Sequence, residues 1–264
     1  MKIAVDGLIL KESAAGDNDK RIILLTARDG RMSLTAKGAR STRSKMAGVC
    51  RLFTYGNFEY YEKGDRRWVS AGSVNESFFG LCSELETFTL ASYLSEIALE
   101  ITGEGVEAEE VLRTTLNAFY CLENKKKPLW QVKAAYELFA ARTSGLCPDL
   151  SACCECSARD EKDFWLDVMN GSILCSDCMK KRGLGEALPE FDEYSTRNIL
   201  IPISASALEA MRYVMTAPIR RLFAFSVTDK DSAEMLSRAA ETYLVNHLER
   251  NFETLEFYKK VSTD

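Results

Sequence analysis

Apolar residues at positions 1–75 fall in short β-compatible runs separated by turn residues. Four runs span 3–10, 21–26, 32–36 and 52–62, and a fifth begins at Trp68-Val69. Asp29-Gly30 and Lys63-Gly64-Asp65 carry turn chemistry between neighbouring runs. Five short strands in this length are typical of an OB-fold barrel, although strand count alone does not separate an OB-fold from an SH3-like barrel.

From residue 81 the hydrophobic period becomes helical. Leu90, Leu94, Ile97 and Ile101 are spaced by four, three and four positions, which places them on one helix face. Further helical patterns cover 107–122, about 128–143, 205–215 and 232–250. We therefore predict an α+β protein, with a five-stranded N-terminal OB-fold β-barrel over 1–80 and a helical domain over 81–264.

Six of the nine cysteines lie within a short stretch of this second domain. Four of them form two C-x2-C pairs in the pattern C-x2-C-x18-C-x2-C, which is the spacing of a four-cysteine zinc site. Asn170-Gly171 between the pairs is a hairpin turn that can bring the second pair beside the first. The spacing predicts an inserted zinc module at about 147–182 that holds one structural Zn²⁺ through Cys153, Cys156, Cys175 and Cys178.

Other interpretations of the cysteines stay open. Cys147 or Cys154 could replace a ligand of the first pair, and the thiols could be unpaired, a remnant of a site, or a redox pair. A closed four-thiolate site has no position for water or substrate, so the predicted metal is structural.

Charge divides the chain unevenly, and the overall net charge of −5 conceals this division. Residues 1–80 carry a net +5 and residues 81–264 a net −10. No acidic residue occurs between Asp29 and Glu59, whereas that window contains Arg31, Lys37, Arg40, Arg43, Lys45 and Arg51. The window predicts either a basic surface for a polyanion or a solvated surface that lacks acids.

Catalytic signatures are missing from the sequence, which has no G-x-S-x-G, P-loop or G-x-G-x-x-G motif. The single histidine, His247, lies on the apolar stripe of a helical pattern and is expected to be a core residue. We therefore expect that the protein is not an enzyme. The N-terminus does not resemble a signal peptide, and no apolar run is long enough to span a membrane, so we expect a cytoplasmic protein without a membrane partner.

Several local motifs point to one family. They are Gly30-Arg31 followed by Ala36-Lys37-Gly38-Ala39-Arg40, Pro148-Asp149-Leu150 leading into Cys153, and Tyr243-Leu244 followed by His247-Leu248-Glu249-Arg250. Through them the chain resembles the RecO family of bacterial DNA repair proteins over nearly its full length. The resemblance implies an OB-fold, a helical domain and an inserted zinc module.

The resemblance also implies a function in recombinational repair. Members bind single- and double-stranded DNA, anneal complementary strands and act with RecR, and sometimes RecF, to load RecA onto strands covered by single-strand-binding protein (SSB). Such a protein would be cytoplasmic and nucleoid-associated. We expect the six basic residues of the acid-free window to contact phosphates, with Lys37 and Arg40 foremost. Lys133 best matches a family position suited to the acidic SSB C-terminal tail, although a solvated lysine is an equal interpretation.

Two alternatives belong to other functional classes. A zinc-containing OB-fold interaction adaptor would use the basic window to bind an acidic protein, and a third possibility is an RNA-binding OB protein. The sequence separates these weakly, and it does not show which of the aromatic residues between Phe53 and Trp68 would touch bases.

Overall fold

The computed structural model describes residues 2–41, 43–159, 161, 163–182 and 199–262. Five strands lie within positions 2–77, as the alternating pattern predicts. They are β1 (Lys2–Ala15), β2 (Asp19–Thr26), β3 (Gly30–Ala36), β4 (Thr54–Lys63) and β5 (Arg66–Ser77). A short helix, α1 (Lys45–Val49), lies between β3 and β4.

The five strands form a closed barrel in the order β1-β2-β3-β5-β4, with β4 returning to pair with β1. All neighbours are antiparallel except β3 and β5, which are parallel where Thr35 meets Trp68. This closed five-stranded arrangement is that of an OB-fold, so the predicted fold class is confirmed. Its interior is filled by alternating apolar side chains, among them Ile22, Leu24, Leu34 and Phe58.

The remaining elements are mostly helical, with a small four-stranded sheet in the order β6-β8-β7-β9. The elements are α2 (Leu85–Glu100), α3 (Glu109–Glu123), α4 (Leu129–Thr143), β6 (Asp149–Cys153), β7 (Asp163–Asp167), β8 (Ser172–Cys175), α5 (Ser176–Lys181), β9 (Leu200–Ser204), α6 (Ala205–Thr216), α7 (Lys230–His247) and α8 (Glu253–Ser262). Single 3₁₀ turns cover Phe79–Cys82 and Ile219–Arg221. Among the described residues, no helix is both long and apolar enough to cross a membrane.

Packing divides the chain into two compact units, 1–129 together with 252–264, and 130–251. The first unit is discontinuous because α8 returns to pack on α2, where Tyr93 and Phe252 make an edge-to-face contact at 5.5 Å. The predicted boundary after residue 80 falls inside this unit, at the end of the barrel. Within the predicted second domain, 183–198 and 263–264 lie outside the described residues, as do 160 and 162 of the predicted zinc module.

Candidate metal centre and nucleic-acid surface

The four cysteines of the two C-x2-C pairs meet at one point of the second unit. Cys153 ends β6 and Cys156 lies in the turn after it, while Cys175 ends β8 and Cys178 lies in α5. Their Sγ atoms all lie within 4.8 Å of one another, and those of Cys156 and Cys175 are 3.6 Å apart. The hairpin between β7 and β8 brings the second pair to the first, as its turn sequence indicates.

The sulfur geometry suits a single ion. A tetrahedral site with metal–sulfur bonds of about 2.3 Å places its sulfurs about 3.8 Å apart, close to the spacing of this cluster. Cys147 and Cys154 are exposed and are not members of the cluster. The four thiols can therefore hold a metal ion, and four protein ligands would leave no open position for substrate.

Backbone groups prepare one of these thiols for metal binding. Burial by itself would raise the pKa of Cys153, but hydrogen bonds from backbone N–H groups, including that of Cys175 at 3.3 Å, lower it to about 6. Burial raises the pKa of Cys178 instead. Clustered thiols resist losing several protons together because the resulting charges repel, and a bound cation removes that obstacle.

The six basic residues of the acid-free window are all exposed on the first unit. In the part of the chain that the structure describes, none of them forms an ion pair with an acidic side chain, in contrast to basic residues such as Arg67 and Arg113. They do not make one cluster, however. Arg31 lies near the start of β3 and Lys37 follows its end, roughly 20 Å away along the strand, whereas Lys37, Arg40, Arg43 and Lys45 belong to one short segment. We call 37–45 the basic segment.

The start of the basic segment is a turn anchored to the loop between β1 and β2. Gly38 has φ +66°, a left-handed conformation that favours glycine, and its N–H donates to Asp19 Oδ1 at 2.8 Å. Arg40 Nη1 donates to the carbonyl oxygens of Gly16 and Asp17, each at 3.0 Å. Arg40 therefore also has a structural role, which the sequence did not reveal, although its fork retains further N–H donors.

The other two predicted phosphate ligands have local contacts of their own. Arg31 Nη1 donates to the carbonyl oxygen of Leu99 at 3.2 Å. The Arg51 guanidinium lies over the ring of Phe79, 5.4 Å from its centroid, and Phe79 is itself exposed. Both cations remain accessible to solvent, so both stay candidates for contact with a polyanion.

One exposed aromatic residue and a half-buried neighbour stand out from the aromatic run that the sequence left unassigned. Phe53, Phe58 and Tyr60 are buried, but Tyr61 is exposed and stacks on Trp68 with ring centroids 5.4 Å apart. Lys63 and Arg66 accompany this pair on the β4–β5 hairpin. The alternation Tyr61-x-Lys63 and Arg66-x-Trp68 was the signal in the sequence that could have identified them.

Lys133 is buried in α4, with 3 % of its surface exposed. Its Nζ lies 2.8 Å from Glu137 and 2.7 Å from Glu241. Burial alone would lower the pKa of Lys133, but the two carboxylates raise it above its ordinary value, so the side chain stays charged. Contact between Lys133 and the SSB tail stays a prediction, and it requires the tail to replace one of these carboxylates.

His247 has local partners within the second unit. Its ring stacks on that of Tyr243 with centroids 4.0 Å apart, and its Nδ1 lies 3.0 Å from the Tyr243 carbonyl oxygen. The half-buried imidazole therefore contacts the preceding turn of its own helix, α7.

Fold and geometry together define an OB-fold protein with a four-cysteine cluster that can hold a metal ion. Residues 1–78 match the family model described as Recombination protein O N terminal, and residues 82–256 match Recombination protein O C terminal. The two matches span most of the chain, which therefore belongs to the RecO family of DNA repair proteins.

Relatives named DNA repair protein RecO align with the chain over most of its length. The protein of Acetivibrio thermocellus is 26% identical over 257 residues, covering 97% of this chain and 96% of that protein. That of Alkaliphilus metalliredigens is 24% identical over 262 residues, with 99% and 100% covered. That of Anaeromyxobacter sp. strain K is 30% identical over 191 residues, with 71% and 74% covered.

Proposed function

We propose that this protein is a DNA-binding recombination mediator that binds single- and double-stranded DNA and anneals complementary single strands. With RecR and RecF it would help to load RecA onto SSB-coated DNA. The observation that carries the proposal is the set of six exposed cations on the barrel unit without an acidic partner among the described residues. Unpaired surface cations are free to neutralise phosphates, and the counterions released on binding drive the association.

Annealing by such a surface needs no bond-making chemistry. A protein that neutralises the phosphates of two strands lowers their mutual repulsion and leaves the base edges free to pair. Binding that is mainly to phosphates also has little sequence preference, as a general annealing factor requires. The proposed function therefore assigns no catalytic residue.

We propose Zn²⁺ as the ion of the cysteine cluster, because four thiolates in a closed site are the donor set that structural zinc prefers. Cys153, Cys156, Cys175 and Cys178 would hold it. When bound, the ion would supply four metal–sulfur bonds. The cysteines would then tie β6, β8 and α5 together.

Annealing of complementary SSB-coated strands is the direct test. The wild-type protein should accelerate duplex formation, and Lys37→Glu/Arg43→Glu should lose this activity while its circular dichroism spectrum is unchanged. Arg40 is left intact because its guanidinium holds the neighbouring loop. Unchanged affinity of the double variant for single-stranded DNA would refute this site. Tight binding to an acidic protein or to RNA, without DNA binding, would instead favour the adaptor or RNA-binding alternatives.

Partner contacts follow from the same proposal. RecR, the SSB tail and, more indirectly, RecF and RecA are the proposed partners. A synthetic SSB tail peptide should bind the wild-type protein, and displacement of Glu241 from Lys133 by the peptide carboxylates is the contact that we propose for it. If Glu241→Gln, which frees the ammonium from one carboxylate, did not alter peptide affinity, Lys133 would have no part in this binding.

A further inference from the structure

One face of the β4–β5 hairpin is turned to solvent, and phosphate binding by the basic residues does not explain the side chains on it. Its register pairs Tyr61 with Trp68 and Lys63 with Arg66, which places these four side chains on the same face. On the opposite face, Tyr60 is buried in the barrel. We call the four residues the hairpin face.

The aromatic pair of the hairpin face is held in a fixed arrangement. The rings of Tyr61 and Trp68 are nearly parallel, at 19°, with centroids 5.4 Å apart. β5 lies between β4 and β3, so Lys37, which follows β3, approaches the indole from the other side, with its Nζ 5.7 Å from the ring centroid. The side chain of Tyr61 is 37% exposed, and Lys2 of β1, which lies opposite Tyr61 in the register and pairs with Glu59, borders it on its other side.

Charge around the aromatic pair is mainly positive. Lys63 and Arg66 are exposed, and neither has an ion-pair partner among the residues that the structure describes. The nearby carboxylate of Glu62 points to the other face of the hairpin, where Arg67 binds it at 2.5 Å. An aromatic surface bordered by unpaired cations is complementary to a nucleotide, whose base stacks while its phosphate is neutralised.

We propose that the hairpin face stacks an unpaired base of single-stranded DNA on Tyr61, with Trp68 as the positioning residue behind it. Lys37, Lys63 and Arg66 take the flanking phosphates. The bases of a duplex are already stacked on one another, so this site binds single strands in preference to duplex. The inference rests on the proposed DNA-binding function, and it adds a base-contacting subsite to a surface otherwise assigned to phosphates.

The test compares three ligands of equal length: an oligothymidine, an abasic oligonucleotide with the same phosphates but no bases, and a blunt duplex. Tyr61→Ala should weaken oligothymidine binding roughly 5- to 150-fold, the range for loss of one base–aromatic stack. Its affinity for the abasic strand and the duplex should not change, because the phosphate contacts remain. Tyr61→Phe should bind as the wild type does, since the ring and not the hydroxyl makes the contact.

Tyr120→Ala is the matched control, because Tyr120 is an exposed tyrosine on α3 of the same unit and should leave all three affinities unchanged. A second measurement uses Trp130→Phe/Trp165→Phe, which leaves Trp68 as the only tryptophan. Its fluorescence should be quenched by oligothymidine and not by the abasic strand.

The outcomes separate this inference from the proposed function. Equal wild-type affinity for oligothymidine and the abasic strand, or an equal loss for all three ligands in Tyr61→Ala, would overturn the stacking site and leave phosphate binding intact. Loss of SSB tail peptide binding alone in Tyr61→Ala would overturn it too and assign the face to a protein partner. Failure of the wild-type protein to bind any of the three at low salt would overturn the proposed function itself.

Discussion

The double variant Arg43→Gln/Lys45→Gln tests the basic segment most directly, because it neutralises two of its four cations. Both side chains are exposed, and neither has an ion-pair partner among the described residues, so the substitution removes two charges and breaks no ion pair there. The main consequence should be electrostatic. The variant therefore measures phosphate contacts without disturbing the turn that Arg40 anchors.

The expected magnitude follows from counterion release. Each phosphate of a single strand that a cation neutralises contributes about −0.7 to the slope of log affinity against log salt concentration. If each of the four cations of the basic segment contacts one phosphate, the segment contributes about −2.8 to the slope, which alone weakens binding roughly 50-fold between about 50 and 200 mM salt. The variant loses two of the four cations, so its slope is less negative than that of the wild type by about 1.4, and the same change in salt weakens its binding roughly sevenfold less.

Fluorescence anisotropy of a labelled single strand, titrated at several salt concentrations, gives these slopes. Arg113→Gln/Lys230→Gln is the matched control because it removes two exposed charges that are paired on their own helices with Glu109 and Glu234. Its slope should equal that of the wild type. If both double variants made the slope less negative by the same amount, the net charge of the protein and not the basic segment would govern binding, and the reasoning would be refuted.

Three further predictions concern the framework of the protein. Cys175→Ser should abolish the binding of about one zinc ion per chain measured by a colorimetric release assay, whereas Cys154→Ser, outside the cluster, should retain it; equal zinc content would contradict the assignment. Gly30→Ala should lower the free energy of unfolding, measured in urea, by about 2 kcal/mol or more. Residue 30 has φ +59°, and an added Cβ would lie 2.2 Å from the backbone oxygen of Gly103. Gly105→Ala, also at positive φ but with open space around it, should cost about 1 kcal/mol, and a larger loss there would contradict the clash argument. Lys133→Ala leaves two carboxylates without their shared ammonium and should destabilise the protein by about 3–5 kcal/mol; unchanged stability would mean that the buried ion pairs contribute nothing.

Local patterns were sufficient for much of this fold. The β4 run alternates between buried and half-buried residues, so its period of two is visible in the sequence. Asp29-Gly30 and Asn170-Gly171 mark two of the hairpins that the structure contains. The cysteine spacing was equally informative, because each pair is local and a single hairpin joins the pairs.

Long-range packing was not visible in the same way. Leu200–Ser204 forms β9 by pairing with β7, which lies much earlier in the chain, and no local pattern identifies that partner. The return of α8 to the first unit depends on α2, whose Glu96 accepts a hydrogen bond from the Thr254 hydroxyl. Which elements pack together is determined by burial across the whole chain rather than by local periodicity.

The same limit applies to the candidate sites. Lys133 and Glu137 are spaced as an ion pair on a helix, a pattern typical of exposed surfaces, yet the helix face that carries them is buried. Arg40 looked like a free phosphate ligand because its carbonyl partners come from a loop that is distant in sequence. A basic residue's charge can be read from the sequence, but its partners are decided by tertiary structure.

The two parts of the proposed DNA surface would have different physical consequences for annealing. The basic segment would bind through charge, so its contribution would weaken as salt rises and would not distinguish one base from another. The hairpin face would bind through stacking, which depends little on salt and requires an unpaired base. As complementary strands pair, the stacked base returns to the duplex and leaves the tyrosine ring, while the phosphate contacts persist. A protein with both elements would therefore bind single strands more tightly than the duplex that they form, which favours release of the annealed product.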